Sequence, residues 1–394
     1  MDYFKNKIIS YNSQFVDSDD ITFVSSVLKS PQITQGPMVA MFEKKISNFV
    51  KSKYCKVTNS GTAALYLAIK SLQLKKNSTV VMPSVNFIAA YNMCKILNFK
   101  IYLADINPIS GCMEPKNFYD CIKKNKIHQI DLILNMHMGG NPNHVLEFSK
   151  IKKRYNSYLI EDSCHALGST YKFKKKNYKV GCCAHADIST FSFHAIKSIT
   201  TGEGGAITTN IKIFDKRILN MRSHGILRSK KHWKYDVLFP SFNLRLSDIN
   251  CALGISQLKK INLFIKKRNF IASRYILKLS SLKSFISFHK TEKYYLSSFH
   301  LFQISIDFDK LKTTKDIFFE FMKKKKIFLQ YHYTPIYKFS LFKKKITLPG
   351  AEKHYKNNVS IPIYYNMKIK EVDYVISVLS EFILKNKSSK FFKI

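Results

Sequence analysis

The 394-residue sequence has no uninterrupted apolar run approaching the roughly 18 residues that a bilayer-spanning helix needs, so no membrane span is expected. Its opening residues, MDYFKNKIIS, lack the long apolar segment of a secretory signal, which points to the cytoplasm. None of the eight cysteines forms a C-x-x-C pair, and the only close two are the adjacent Cys182 and Cys183. In a chain this long they read as reduced, mostly buried thiols rather than as a disulfide framework. Grouped Cys and His ligands at zinc-site spacing are missing too, so no metal is expected. Internal repeats and low-complexity linkers are equally lacking.

Acidic side chains are scarce: 26 Asp and Glu stand against 65 Lys and Arg, a formal net charge of +39. Dense basic surfaces bind phosphate backbones, which raises a nucleic-acid or regulatory role. Clusters such as KKKK (323–326) and FKKK (173–176) form no single stripe, however, and fall where helices end or loops begin. No nucleic-acid partner is expected. The charge would serve better to draw in an anionic small substrate.

Hydrophobic residues make up 45% of the chain, enough at this length for a sizeable core and two domains. MVAMFEKKISNFV (38–50) has the i, i+3, i+4 spacing of a helix packed on a core, and SGTAALYLAIKSL (60–72) is a second helix. TVVMPS, KIYLADI, DLILNMHMGG, SYLIEDS and DISTFSF read as strands, with NFIAAYNMCKIL and HVLEFSKIKKRY as helices among them. Repeated βα units of this kind predict an α/β fold with a mainly parallel sheet. From Leu246 a long helical pattern leaves the sheet. Beyond it lie the strand LFQISI (301–306) and helices over 314–325 and 370–385. We expect a large domain over 1–255 and a smaller α+β C-terminal domain over 256–394.

DISTFSFHAIKSITTGEGGAITTN (187–210) frames a single lysine, Lys197, between two β-branched runs. A lysine on a solvated face needs no framing. One that must meet a carbonyl does, because its ammonium has to be partly desolvated. NSGTAAL (59–65) opens a helix with Ser60, Gly61 and Thr62, whose N–H groups and hydroxyls suit a phosphate. An ordinary helix cap would look the same. YLIEDSCHALGS (158–169) sets Glu161 and Asp162 at the end of a buried-looking strand, where ligands gather in open α/β sheets, with His165 three residues on. That aspartate could instead cap the next helix. Phe87, after MPSVN, could stack on a flat cofactor or fill core. Together these are the parts of a pyridoxal-phosphate site, with the lysine to hold the cofactor and the aspartate to keep its pyridine nitrogen protonated.

SFHAIKSITTGEGGAITTN, NSGTAALYLAI, IEDSCHALGS, RSHGI and FNLRLSDINCALGISQL resemble, in order and from about Tyr11 to Pro362, the motifs of one family. It is the DegT/DnrJ/EryC1/StrS family of pyridoxal-phosphate sugar aminotransferases. The resemblance implies an aspartate-aminotransferase-like (type I) fold and a homodimer with active sites shared across the interface. It implies Lys197 as the Schiff-base lysine, Asp162 on the pyridine nitrogen, Phe87 stacked on the ring and His165 near the 3-hydroxyl. Ser60, Gly61, Thr62 and Ser192 would hold the phosphate, joined by Asn243 from the other subunit. TTGEGG (200–205) would be the tight turn that brings the backbone close to the cofactor. The sequence departs from the pattern at Asn86, where the family usually has Thr or Ser, and at HMGG (137–140), which replaces HLYG. A related dehydratase branch has a histidine in place of the lysine, and Lys197 argues against it.

Three further stretches, YNSQFVDSDDI (11–21), ITQGP (33–37) and QYHYTPIY (330–337), resemble the family's pseudaminic acid branch. That branch implies transfer of an amino group, by family analogy from L-glutamate, to C4 of a UDP-linked 4-keto-6-deoxy-N-acetyl-L-hexosamine. Tyr11, Thr34, Gln35, Gly36, His332, Tyr333, Thr334 and Pro335 would line the nucleotide-sugar pocket. Other UDP- or dTDP-4-keto-sugars are the alternatives. Without the resemblance, HYTPIY reads as a strand leading into a proline turn.

Overall fold

The computed structural model describes residues 7–388 apart from 230, 232, 290, 292, 293 and 344. Seven strands build the central sheet: β1 (Tyr54–Thr58), β2 (Thr79–Pro83), β3 (Lys100–Ala104), β4 (Leu132–Met136), β5 (Tyr158–Asp162), β6 (Ile188–Ser192) and β7 (Gly205–Thr209). Their spatial order is β1-β7-β6-β5-β4-β2-β3. Only β7 runs against its neighbours, β1 and β6. The remaining pairs are parallel. Both faces of the sheet are packed, so its inner strands are buried almost throughout rather than on alternate positions; β4 is buried at every position.

The helix Asp248–Leu279 is 32 residues long and spans about 48 Å. Its first half, through Cys251, Ile255, Ile261 and Phe264, packs in one core with Phe42, Phe191 and Phe193. Its second half, through Ile271, Tyr275 and Leu279, packs in another with Ile304, Phe318 and Val375. The expected division after residue 255 falls inside this continuous helix. The second core also holds a three-stranded antiparallel sheet, with Phe302–Ile306 between Ile286–Phe288 and Asn358–Ile361. Ile9 is fully buried there, its N–H bonded to the Lys326 carbonyl at 2.9 Å and its carbonyl to the Phe328 N–H at 2.8 Å. The segment around Ile9 therefore belongs to the second core although it precedes the residues of the first.

Residues 331–335 form no strand. Gln330 makes a single bridge to Ser360, and a 3-10 turn takes over at Ile336–Lys338. All eight cysteines are free, seven buried and Cys164 half-buried. No helix among the described residues is long and apolar enough to cross a membrane. No group of three or more His, Cys, Asp or Glu among them could hold a metal.

Candidate active site

Parallel strands aim their carboxyl ends at one edge of the sheet, and there a cavity of about 590 Å3 opens. Ser60, Gly61 and Thr62 enter it after β1, Phe87 after β2, Asp162 and His165 from the end of β5, and Ser192 and Lys197 from the end of β6. Tyr11, His332, Tyr333 and Thr334 close it from the other side.

The cradle after β1 follows from a cap and two close approaches. Ser60 caps the helix Gly61–Ser71 by accepting the Ala63 N–H at 3.1 Å. The N–H groups of Gly61 and Thr62, first in that helix, have no intrahelical acceptor. A Cβ on Gly61 would lie 2.9 Å from Ser192 Cβ, so the missing side chain is what seats the helix N-terminus against Ser192. A Cβ on Gly205 would come within 2.4 Å of the Ser60 carbonyl. Free N–H groups, two hydroxyls and the positive end of a helix dipole suit a phosphate dianion.

Lys197 sits in a loop closed by backbone bonds from Lys197 N–H to His194 O at 2.9 Å and from Thr201 N–H to Phe193 O at 3.0 Å. Asn250, on the long helix, ties that loop down through Thr201 O at 2.6 Å. Desolvation pushes the Lys197 ammonium below the usual lysine range, with Cys164 and Asp162 pulling it back. Asp162 is buried, and one carboxylate oxygen accepts the Cys164 N–H at 3.2 Å. Phe87 remains 53% exposed, an aromatic face at the rim that no core claims.

His165 is buried, and desolvation, then Lys197 and His332, hold its pKa well below the usual histidine value. It is therefore neutral. Its Nδ1 accepts the Gly139 N–H at 3.3 Å, which leaves the ring proton on Nε2, 3.0 Å from Tyr333 Oη. Burial likewise pushes His332 down to about 3; its Nδ1 lies 2.8 Å from Ser360 Oγ and its ring 5.6 Å from that of Tyr11.

Four of the expected residues stand elsewhere within one chain, and Pro335 is a fifth that misses the cavity wall. Gln35 and Gly36 line a second cavity of about 410 Å3, with Arg222 and Arg245, and exposed Thr34 lines neither. The reason is Asp248, buried at the start of the long helix, which accepts the Gly36 and Met38 N–H groups at 2.8 Å each and holds the turn against that helix. Asn243 is exposed outside the cavity, its carbonyl accepting from Asn59 Nδ2 at 3.4 Å. Pro335 is buried behind the wall, next to Ile336, whose N–H is pinned to Ser84 O at 2.9 Å.

Sequence reasoning passed over Cys164 and His300. Cys164 lines the cavity between Asp162 and His165, its thiol pushed well up by burial and then by Asp162; its place just past a strand-end aspartate was the available signal. The His300 ring packs 4.4 Å from that of His165, and no local pattern announces it. A dianion cradle, an enclosed lysine, a buried carboxylate and a rim aromatic in one cavity fit pyridoxal phosphate.

The family model described as DegT/DnrJ/EryC1/StrS aminotransferase matches residues 14–380. Two Campylobacter jejuni subsp. jejuni proteins, from serotypes O:23/36 (strain 81-176) and O:2, carry the name UDP-4-amino-4,6-dideoxy-N-acetyl-beta-L-altrosamine transaminase. They are 37% and 34% identical to this chain, over 96% of it and 99% of their own lengths. Among solved structures, Helicobacter pylori PseC, an aminotransferase involved in the biosynthesis of pseudoaminic acid, matches with a TM-score of 0.87 at 29% identity. That match covers 97% of this chain and 100% of PseC. The aminotransferase TlmJ from Streptoalloteichus hindustanus, at 20% identity and a TM-score of 0.88, over 96% of this chain and 99% of TlmJ, shares the fold.

Proposed function

Because the chain belongs to the DegT/DnrJ/EryC1/StrS aminotransferase family, we propose that it is a pyridoxal-phosphate-dependent nucleotide-sugar transaminase of pseudaminic acid synthesis. It moves the amino group of L-glutamate to C4 of a UDP-linked 4-keto-6-deoxy-N-acetyl-L-hexosamine. The observation that carries this reading is a single cavity that joins Lys197, Asp162 and the Ser60–Thr62 cradle to His332–Thr334. The relatives bearing that enzyme's name match the chain along nearly its whole length.

Pyridoxal phosphate supplies, when bound, an electron-accepting ring and the carbon that carries the amino group between substrates. Gly61, Thr62, Ser60 and Ser192 bind its phosphate, and Phe87 covers its ring. Asp162 holds a proton on the pyridine nitrogen. Lys197 would hold the group through Nζ and, as the base of the site, would take up and give back a proton at that atom. Desolvation lowers the pKa of this lysine, so more of it stands as the free amine that a base requires. Tyr11, His332, Tyr333 and Thr334 orient the sugar.

The active form is a homodimer in this reading. Asn243 and the 34–36 turn stand outside the cavity of their own chain, which supports a site completed by a second copy, with Asn243 reaching the partner's phosphate cradle. Around Asn243 the exposed Tyr235, Val237, Leu238 and Phe242 offer apolar surface for a second copy to cover. A cytoplasmic location belongs to the same reading.

An amination assay across a panel of nucleotide 4-keto-sugars, with products weighed by mass spectrometry, tests the substrate. The UDP-linked L-altro sugar is expected to turn over faster than its D-gluco-type 4-keto isomer. Equal or faster use of that isomer overturns the sugar assignment and leaves the transaminase in place.

A further inference from the structure

The stretch of cavity wall at 331–334 has no strand ladder, so something else must fix it. Two side chains outside the cavity do so by converging on one carbonyl. His332 O accepts from Gln303 Nε2 at 3.2 Å and lies 3.0 Å from His354 Nε2, which donates to it in the Nε2–H tautomer of that ring. Gln303 sits on the strand Phe302–Ile306 and spends its other N–H on Asn358 Oδ1 at 3.0 Å. His354 is buried in the helix Pro349–Asn357, with its Nδ1 3.0 Å from the Pro108 carbonyl. That helix is itself fastened: Asp105, just past β3, accepts the Gly350 and Ala351 N–H groups at 2.8 Å each. A Cβ on Gly111 would lie 2.9 Å from His354 Cε1, so the ring is walled in as well.

Ahead of the held carbonyl stand the two side chains that face the cavity. Tyr333 Oη meets His165 Nε2 at 3.0 Å, and the His332 ring is tied to Ser360 at 2.8 Å. A carbonyl held by two donors cannot rotate without leaving both unsatisfied in a buried place. Its position therefore sets where the Tyr333 hydroxyl and the His332 ring stand. Neither Gln303 nor His354 is bonded to Lys197 or Asp162.

We infer that His354, with Gln303, is a positioning residue for the sugar half-reaction. It acts through the His332 carbonyl and leaves the glutamate half-reaction to Lys197 and Asp162. This inference rests on the reading that His332–Thr334 meets the sugar.

The test uses the holoenzyme and follows the two half-reactions separately, by the cofactor's absorbance. His354→Phe keeps the ring's volume and removes both nitrogens, and Gln303→Met removes the second donor at similar length. Each should raise the sugar-nucleotide KM about tenfold, the size of one lost buried hydrogen bond, with the glutamate half-reaction within about twofold of the parent. His354→Gln, which restores an N–H donor, should recover most of that loss. Equal loss in both half-reactions, or an unchanged sugar KM, overturns the inference. If His354→Phe fails to fold, Gln303→Met reads the same carbonyl. Tyr333→Phe, measured alongside, separates the levels. A loss confined to its sugar half-reaction, with none in His354→Phe, refutes the positioning role alone. No loss in Tyr333→Phe refutes the assignment of this segment to the sugar, and the positioning role with it.

Discussion

Tyr333 and His165 are 168 positions apart in the chain and meet at 3.0 Å. Since the Gly139 N–H occupies His165 Nδ1, the imidazole donates to the phenol and not the reverse. The phenolic proton is then the free one, and it is available to whatever lies in the cavity. A backbone N–H two elements away thus decides which way a tyrosine in the wall can act.

Lys197 is expected to carry the cofactor. Borohydride reduction of the holoenzyme followed by peptide mapping should place the pyridoxyl label on Lys197, the enclosed lysine of the cavity. A label on any other lysine sinks the proposed mechanism.

Asp162→Asn should still bind cofactor but transaminate orders of magnitude more slowly. The amide keeps the size of the carboxylate and loses the charge that holds a proton on the pyridine nitrogen. Near-normal turnover by the variant, with cofactor bound, would contradict the role assigned.

A shared site predicts complementation. Mixing Lys197→Ala with Asn243→Ala chains should give hybrid dimers in which one site lacks both groups and the other is intact. Recovered activity approaching half that of the parent is expected in the hybrid. Hybrids that form, shown by native mass spectrometry, and stay inactive argue against a site built across two copies.

Stability should fall as the solution is acidified below about pH 6.5. Burial depresses the pKa of His165, His300 and His332, the last to about 3. The unfolded chain takes up a proton at each of these rings near pH 6.5 and the folded chain far lower. Between those values the unfolded state binds more protons, so stability is lost as pH drops through the window. Each ring contributes at most about 1.4 kcal/mol per pH unit. Denaturant unfolding of His332→Gln between pH 6.5 and 5 should show a shallower slope than the parent; an identical slope would mean that His332 is not the buried neutral ring described.

The central sheet was legible because its inner strands are short apolar runs between helical periods, a pattern that needs no distant partner to read. Lys197, Asp162 and the Ser60–Thr62 turn were legible for a related reason: each is local punctuation at the end of a strand. The wall at 331–334 was not, since it is held by Gln303, His354 and Ser360, distant in the chain and without periodic signature. That the 34–36 turn stands outside the cavity of its own chain was not legible either, for the same reason. Its place is set by Asp248, and nothing near Gly36 in the sequence says so.

Ile9 pairs with Ile327, and the Ile363 N–H reaches the carbonyl of Tyr11 at 3.0 Å, so these early residues belong with partners translated more than roughly 300 residues later. At roughly 5–20 residues per second, the ribosome leaves that segment waiting on the order of 15–60 s. The sheet from β1 to β7 is complete long before then. The second core, with the wall it lends to the cavity, closes only when Ile327 and Ile363 arrive to meet Ile9 and Tyr11. Assembly therefore runs as a ring rather than a line, and the enzyme is sealed where segments made far apart in time meet.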